Sequence, residues 1–144
     1  MSDVLNLNKQ LIERIYRDCI NAGRTELIEE LIGQDFVGTR GEKGPAGFAQ
    51  TVAMVRKGFP DVHFTVEDLI AEGDRVVARW TMEGTHRGPF AGFAASQKRV
   101  RQNAIVIYQI RDGKIVRAWL QNDRLGLLQQ IGALPELAVA APRA

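Results

Sequence analysis

A chain of 144 residues is the commonest size for one domain, and 45% apolar with 25% charged residues is a globular composition rather than a disordered or fibrous one. A formal charge of +2, from 19 basic and 17 acidic residues scattered along the chain, excludes a massed nucleic-acid-binding stripe. Cys19 is the single cysteine, which rules out an intrachain disulfide and a multi-cysteine metal site, and no apolar run approaches the ~18 residues of a membrane span. A cytoplasmic protein with neither nucleic-acid nor membrane partners is the expectation. It forms one domain over residues 1–136, followed by a flexible tail over 137–144.

The first half reads as helices. From Asn8 to Asn21, Leu11, Ile12, Ile15, Tyr16, Cys19 and Ile20 recur at helical spacing. Gly23 supplies a left-handed stop. Thr25 is placed to cap a second helix through Leu27, Ile28, Leu31 and Ile32, closed by Gly33. Asp35-Phe36-Val37 reads as a short strand, and Pro45 opens a third helix running to about Lys57.

The second half has a period of two. Strands are expected over Val62–Ala71 and Arg75–Thr85, turned by Glu72-Gly73-Asp74. Asp112-Gly113 is a hairpin signal joining Arg99–Ile110 to Lys114–Gln121. The basic cluster Lys98-Arg99-Val100-Arg101 reads as a solvated strand end. A short helix follows Asp123, from Arg124 to about Ile131. The pattern is α+β: three N-terminal helices packed on a strongly curved, antiparallel or mixed sheet, with a short C-terminal helix. About four long strands cannot close into a barrel, but they can curl around the helices and leave a pocket between them.

Phe59-Pro60-Asp61, Gly73-Asp74-Arg75-Val76-Val77, Arg79-Trp80, Gly84-Thr85-His86-Arg87-Gly88-Pro89-Phe90, Asp112-Gly113-Lys114-Ile115-Val116 and Trp119 through Gly132 stand in succession. That succession resembles the SnoaL-like polyketide cyclases of the nuclear-transport-factor-2-like superfamily, over about residues 8 to 134. The resemblance implies an NTF2-like cone, an apolar cavity for an apolar small-molecule ligand and, frequently in the family, a homodimer formed through the outer sheet face. The superfold hosts unrelated activities, so it settles shape before chemistry.

In the cyclases that the chain resembles, the acid–base carboxylate directly follows the tryptophan of the last strand. Here Leu120 follows Trp119, and a leucine cannot move a proton. Asp123 is therefore read two ways, as a displaced general base or as the N-cap of the helix beginning at Arg124. His86 shares strand parity with Val76, Ala78, Trp80 and Met82, and is either a cavity base or a strand-end histidine bonded to a backbone carbonyl. His63 reads as a surface strand residue.

Trp80 and Trp119 are candidate cavity walls for a flat ligand, with Phe90, Phe93 and Met54 beside them and Leu120 in the acid's place. Asn103, Gln121 and Asn122 are candidates to orient a carbonyl or a water, and Tyr16, Asp35 and Arg40 to line the cavity mouth. Limonene-type epoxide hydrolases of this fold use an Arg-x-Asp pair, and Arg101-Gln102-Asn103 offers an amide in the acid's place. Two histidines and one cysteine, widely spaced, present no metal-ligand pattern, and no phosphate-binding glycine motif occurs.

The expectation is an enzyme of the SnoaL-like type. It would perform cofactor-free cyclisation, isomerisation or hydration of an apolar ring compound, with Asp123 and His86 moving protons. A non-catalytic small-molecule carrier, an epoxide-hydrolase-like activity and a protein-interaction module are the alternatives.

Overall fold

The first apolar stripe forms a helix, α1 (Ser2–Arg14), that continues without a break into a π-helical turn over Ile15–Asn21. It starts earlier than the expected Asn8, with Asp3 in its first turn where the helix dipole favours an acid. The wider π turn still buries Ile15, Tyr16, Cys19 and Ile20. Gly23 ends it at φ +73, a backbone setting that side chains with a Cβ rarely adopt. These elements belong to the computed structural model of the protein, which describes residues 2–135; the expected tail lies outside the described residues.

The second helix is shorter than expected. Thr25–Leu27 is a 3₁₀ turn followed by a single α turn, α2 (Ile28–Leu31). Thr25 is the first residue of that turn rather than its cap; Arg24 holds the N-cap position, without a side-chain capping hydrogen bond. Gly33 does not close a helix but lies inside strand β1 (Ile32–Val37), which starts three residues before the expected Asp35. Space explains the glycine: a Cβ there would stand 3.1 Å from Val116 Cγ1 and 3.4 Å from the Ile115 carbonyl oxygen.

Helix α3 (Gly44–Gly58) carries Pro45 in its first turn, as its fixed φ favours. Four long strands follow: β2 (His63–Glu72), β3 (Arg75–Thr85), β4 (Arg99–Arg111) and β5 (Lys114–Asn122), then helix α4 (Arg124–Gln130). Asp112 at φ 52 and Gly113 at φ 73 make the β4–β5 turn with two positive φ values, the setting that suits the twist of a tight hairpin.

The five strands lie in the order β1-β5-β4-β3-β2, with β1 parallel to β5 and every other pair antiparallel. Register shifts between Val66 and Asp68 on β2, and between Gln109 and Ile110 on β4, bend the sheet as bulges do. Alternation then sorts the side chains. Val76, Ala78, Trp80 and Met82 of β3, and Val100, Gln102, Ala104, Val106 and Tyr108 of β4, are buried on the face that meets the helices. No helix among the described residues is long and apolar enough to cross a membrane.

The π turn is tied to the edge strand by one side chain. The Asn21 amide donates to the Phe64 carbonyl at 2.8 Å and accepts from the Phe64 N–H at 2.7 Å, imitating a paired strand. Arg56 of α3 donates to the Ile20 carbonyl at 2.6 Å, satisfying an acceptor that the helix end leaves free. Replacing Asn21 by alanine strands both backbone groups of Phe64, so Asn21→Ala is expected to lower stability by ~1–3 kcal/mol in urea unfolding. An unchanged midpoint would contradict this role.

Candidate functional site

Between the inner sheet face and the helices lies a cavity of about 150 Å³, the size of an engineered cavity known to admit a benzene ring. Its apolar wall comes from every layer, with Ile20 of the π turn, Phe48 and Val52 of α3, Phe64 of β2, Trp80 of β3 and Val106 of β4. Trp80 meets Phe64 edge-on at 4.8 Å between ring centroids, and Tyr16 tilts against Phe64 and Trp80 and meets Tyr108 edge-on. The cavity opens where lining residues reach solvent. Thr39, Arg40 and Met54 are exposed there, with Glu42, Asn122 and Arg124 half-buried.

Six of the residues singled out in the sequence meet at this cavity: Tyr16, Met54, Trp80, Phe90, Leu120 and Asn122. Arg40 also lines it, whereas Asp35 is exposed and reaches Arg111 at 3.5 Å. The others stand elsewhere. Asn103, Gln121 and Trp119 are on the outer sheet face because they pair across the strands with outward neighbours: Asn103 with Thr81, Gln121 with Ile105, Trp119 with Ile107. There the Thr81 hydroxyl sits 3.1 Å from both Glu67 Oε1 and Asn103 Oδ1. The guanidinium carbons of Arg75 and Arg117 each stand 4.9 Å from the Trp119 ring centre. Phe93 lies in the loop after β3, exposed, with its backbone bridged to Phe90.

Asp123 is not among the cavity-lining residues; its carboxylate accepts from the Gly126 N–H at 2.9 Å and caps α4. His86 is fully buried but outside the cavity lining, packed against Phe59 with ring centroids 5.5 Å apart. Its partner is Ser96 rather than a backbone carbonyl. The Ser96 N–H donates to His86 Nδ1 at 3.1 Å, which places the imidazole proton on Nε2. His63 is exposed, as its strand parity implied.

The polar groups that do face the cavity are mostly ones that no motif flagged. Tyr16 from the π turn and Tyr108 from β4 meet hydroxyl to hydroxyl. Burial pushes the Tyr108 phenol up to about 12. Burial and then the facing Tyr108 hold Tyr16 well above the ordinary tyrosine value; the Trp80 indole N–H tempers that shift without making a well-formed hydrogen bond. Both phenols are thus neutral hydrogen-bonding groups.

Gln102 of β4 is 5% exposed, and among the described residues its Nε2 has no hydrogen-bond partner, nor have the buried Trp80 Nε1 and Arg124 Nε. Burial, and then the nearby Arg40, lower the Arg124 guanidinium from its ordinary value, and that group also covers the Phe90 ring at 5.1 Å. Gln102 and Tyr108 were legible in principle, since both share the inward parity of Val100, Ala104 and Val106 on β4. Glu42 and Arg124 carry no such signal.

Chemically the cavity is an apolar slot with converging donors. Glu42 is the single carboxylate among its described lining residues. No three His, Cys, Asp or Glu side chains among the described residues are grouped to hold a metal ion.

The chain's two tyrosines are both in this pair, so they can be titrated without a background. A phenol raised above its ordinary value near 10 favours the fold fully below that pH, and the contribution is lost as the pH climbs through the raised value. In an alkaline titration, tyrosinate absorption is expected only above about pH 11, together with loss of the circular dichroism signal. Ionisation of either tyrosine near pH 10 in the folded protein would contradict the buried pair.

Residues 10–131 match the model of the SnoaL-like polyketide cyclase family. Comparison with curated proteins gives no match. Among solved structures, TsrD from Streptomyces laurentii is 30% identical with a TM-score of 0.83, over 90% of this chain and 97% of that one. AclR from Streptomyces galilaeus is 27% identical with a TM-score of 0.81, over 92% of this chain and 85% of that one. A SnoaL-like polyketide cyclase from Agrobacterium tumefaciens shares the fold at 22% identity and a TM-score of 0.73, over 84% and 95% of the two chains. With helices on a five-stranded mixed sheet around an apolar cavity, and with that match over most of its length, the chain belongs to the SnoaL-like polyketide cyclase family, on the NTF2-like fold.

Proposed function

We propose that the cavity binds a flat, apolar ring compound bearing a carbonyl oxygen, and that the chain is a cofactor-independent enzyme of the cyclase or isomerase type acting beside that carbonyl. One observation carries the reading. Of the four buried side-chain nitrogen or oxygen atoms without a partner among the described residues, three belong to cavity-lining residues, and all three are N–H donors: Trp80 Nε1, Gln102 Nε2 and Arg124 Nε. A buried donor left unpaired costs about 1–3 kcal/mol, so a ligand oxygen that accepts from it regains that energy on binding. The neutral Tyr16–Tyr108 pair adds a hydroxyl proton not used within the pair.

Donors fixed in a water-poor slot do more than bind. They stabilise the negative charge that grows on a carbonyl oxygen when a neighbouring C–H is deprotonated, and they need no rearrangement to do so. That is the electrostatic half of an enolisation, the step shared by aldol cyclisation and double-bond isomerisation. The aromatic walls of Trp80, Phe64 and Phe90 suit a planar guest.

A bicyclic ketone and its hydrocarbon analogue test the reading. 2-Tetralone is expected to raise the melting temperature more than tetralin does, because only the ketone can accept from the orphaned donors. Gln102→Leu removes one donor at similar volume. It is expected to weaken ketone binding about tenfold, without lowering the stability of the free protein. Equal binding of ketone and hydrocarbon, or an unaltered affinity in the variant, would overturn it.

The outer face supports a homodimer. Ile70, Val77, Ile107 and Trp119 pair in one row across β2, β3, β4 and β5, a continuous apolar band with Ile70 64% exposed. Mostly polar rows flank it, Asp68-Arg79-Ile105-Gln121 on one side, with Ile105 exposed, and Glu72-Arg75-Gln109-Arg117 on the other, so two copies can face each other with matched edges. Ile107→Glu is expected to halve the mass seen in sedimentation equilibrium while leaving the fold intact; a monomeric parent protein would sink this assignment.

A further inference from the structure

Deprotonating a carbon beside a carbonyl needs a proton acceptor, and neither Asp123 nor His86 lines the cavity. We propose that Glu42 is the general base of this site. The proposal rests on reading the cavity as a carbonyl site, and it assigns the group that would complete the chemistry there.

Elimination within the lining is the first support. The other ionisable groups that face the cavity are Tyr16, Tyr108, Arg40 and Arg124. The two phenols are buried and neutral and the two guanidiniums are cations, so none takes a proton at neutral pH. Glu42 remains as the one side chain that can.

The second support is the way the carboxylate is held. Glu42 lies in the short loop between β1 and α3, which is closed by the Gly38 N–H donating to the Glu42 carbonyl at 2.8 Å. The Arg40 N–H donates to Oε1 at 2.8 Å and fixes the orientation of the group. Glycines on both sides make the room. A Cβ at Gly38 would stand 2.6 Å from Glu42 Oε2, and one at Gly47 3.2 Å from Glu42 Cβ. Neither glycine has a positive φ, so space rather than backbone conformation requires them.

Among the described residues Oε2 has no hydrogen-bond donor, and no arginine or lysine side-chain nitrogen lies within 4.0 Å of the carboxylate. An oriented carboxylate with one oxygen free, not neutralised by an ion pair, is arranged to accept a proton rather than to brace the fold.

The third support is the loop's attachment. The Thr39 hydroxyl donates to the Ala118 carbonyl at 3.0 Å and accepts from the Leu120 N–H at 2.6 Å. The loop that presents Glu42 is therefore pinned to the stretch of β5 whose inward residues, Ala118 and Leu120, line the cavity. β5 offers no carboxylate to the cavity, and the loop fastened to it does.

The step balances without another reactant. The proton on the carbon beside the ligand carbonyl moves to Glu42 Oε2, and the C–H electron pair becomes a carbon–carbon double bond. The carbonyl π pair moves onto oxygen, where the N–H groups of Gln102 and Trp80 can meet it. Return of the proton from Glu42 to the same or a neighbouring carbon regenerates the carboxylate.

Hydrogen–deuterium exchange at the α-carbons of 2-tetralone in D₂O, followed by proton NMR, reads this step directly. The wild-type protein is expected to accelerate exchange over buffer. Glu42→Gln is expected to lose that acceleration by about 10²-fold or more, while its melting temperature still rises with the ketone. Glu42→Asp keeps a carboxylate one methylene further back and is expected to retain an intermediate rate.

Wild-type exchange in Glu42→Gln would overturn the base assignment and leave the carbonyl-site reading standing. Ketone binding by the wild type with exchange no faster than buffer would do the same. Failure of the wild type to bind the ketone at all would remove both.

Discussion

The architecture depends on one wedge: the π turn of the first helix, inserted by Tyr16 into the concave face of the sheet. Tyr16 touches Phe64 on β2, Trp80 on β3 and Tyr108 on β4, so one ring is packed against three adjacent strands. Without it, the curled sheet and helix α3 would have only each other to close upon. Close packing is the default for protein interiors, and here the rings of Tyr16, Phe64 and Trp80 stand in the wall of the hollow that remains. The wedge is secured from behind by the Asn21 amide on Phe64 and by Arg56 on the Ile20 carbonyl.

That wedge also decides the chemistry of the cavity. By bringing two phenols together in a buried place, it supplies hydroxyls that stay neutral far above physiological pH. The sheet adds donors from Trp80 and Gln102, and the loop after β1 adds the one carboxylate of the described lining. Donors lie on rigid elements and the carboxylate on a loop pinned at Thr39, a division that fits electrostatic stabilisation from a fixed frame. Asp123 and His86 stand outside the cavity lining and make structural contacts. One caps α4, and the other holds the loop after β3 through Ser96.

How far the site could be read depended on which rule was applied to each strand. Alternation on β3 correctly put Trp80 and Met82 inward. The same rule on β4 puts Gln102 and Tyr108 inward and Asn103 outward, so of the polar triplet Arg101-Gln102-Asn103 only the middle residue faces the cavity. Trp119 looked like a cavity wall because tryptophan is large and apolar. The hairpin register sets it opposite Ile107, on the outer face. The apolar row Ile70-Val77-Ile107-Trp119 is invisible along the chain because its members lie on four strands and meet only through cross-strand pairing.

The α+β class, the order of the strands along the chain, the Asp112-Gly113 hairpin and the buried stripe of the first helix were determined by local periodicity and turn chemistry, which act over a few residues and so can be read from them. Three features were decided only by the tertiary structure: the parallel docking of β1 on β5, the widening of the first helix into a π turn, and the placing of Glu42 at the cavity. β1 is short and its pairing comes from a strand about eighty residues away, so no nearby residue encodes it. A loop residue such as Glu42 has no periodicity at all; its position follows from where the loop is tied, and Thr39 ties it to Ala118 and Leu120 across the fold.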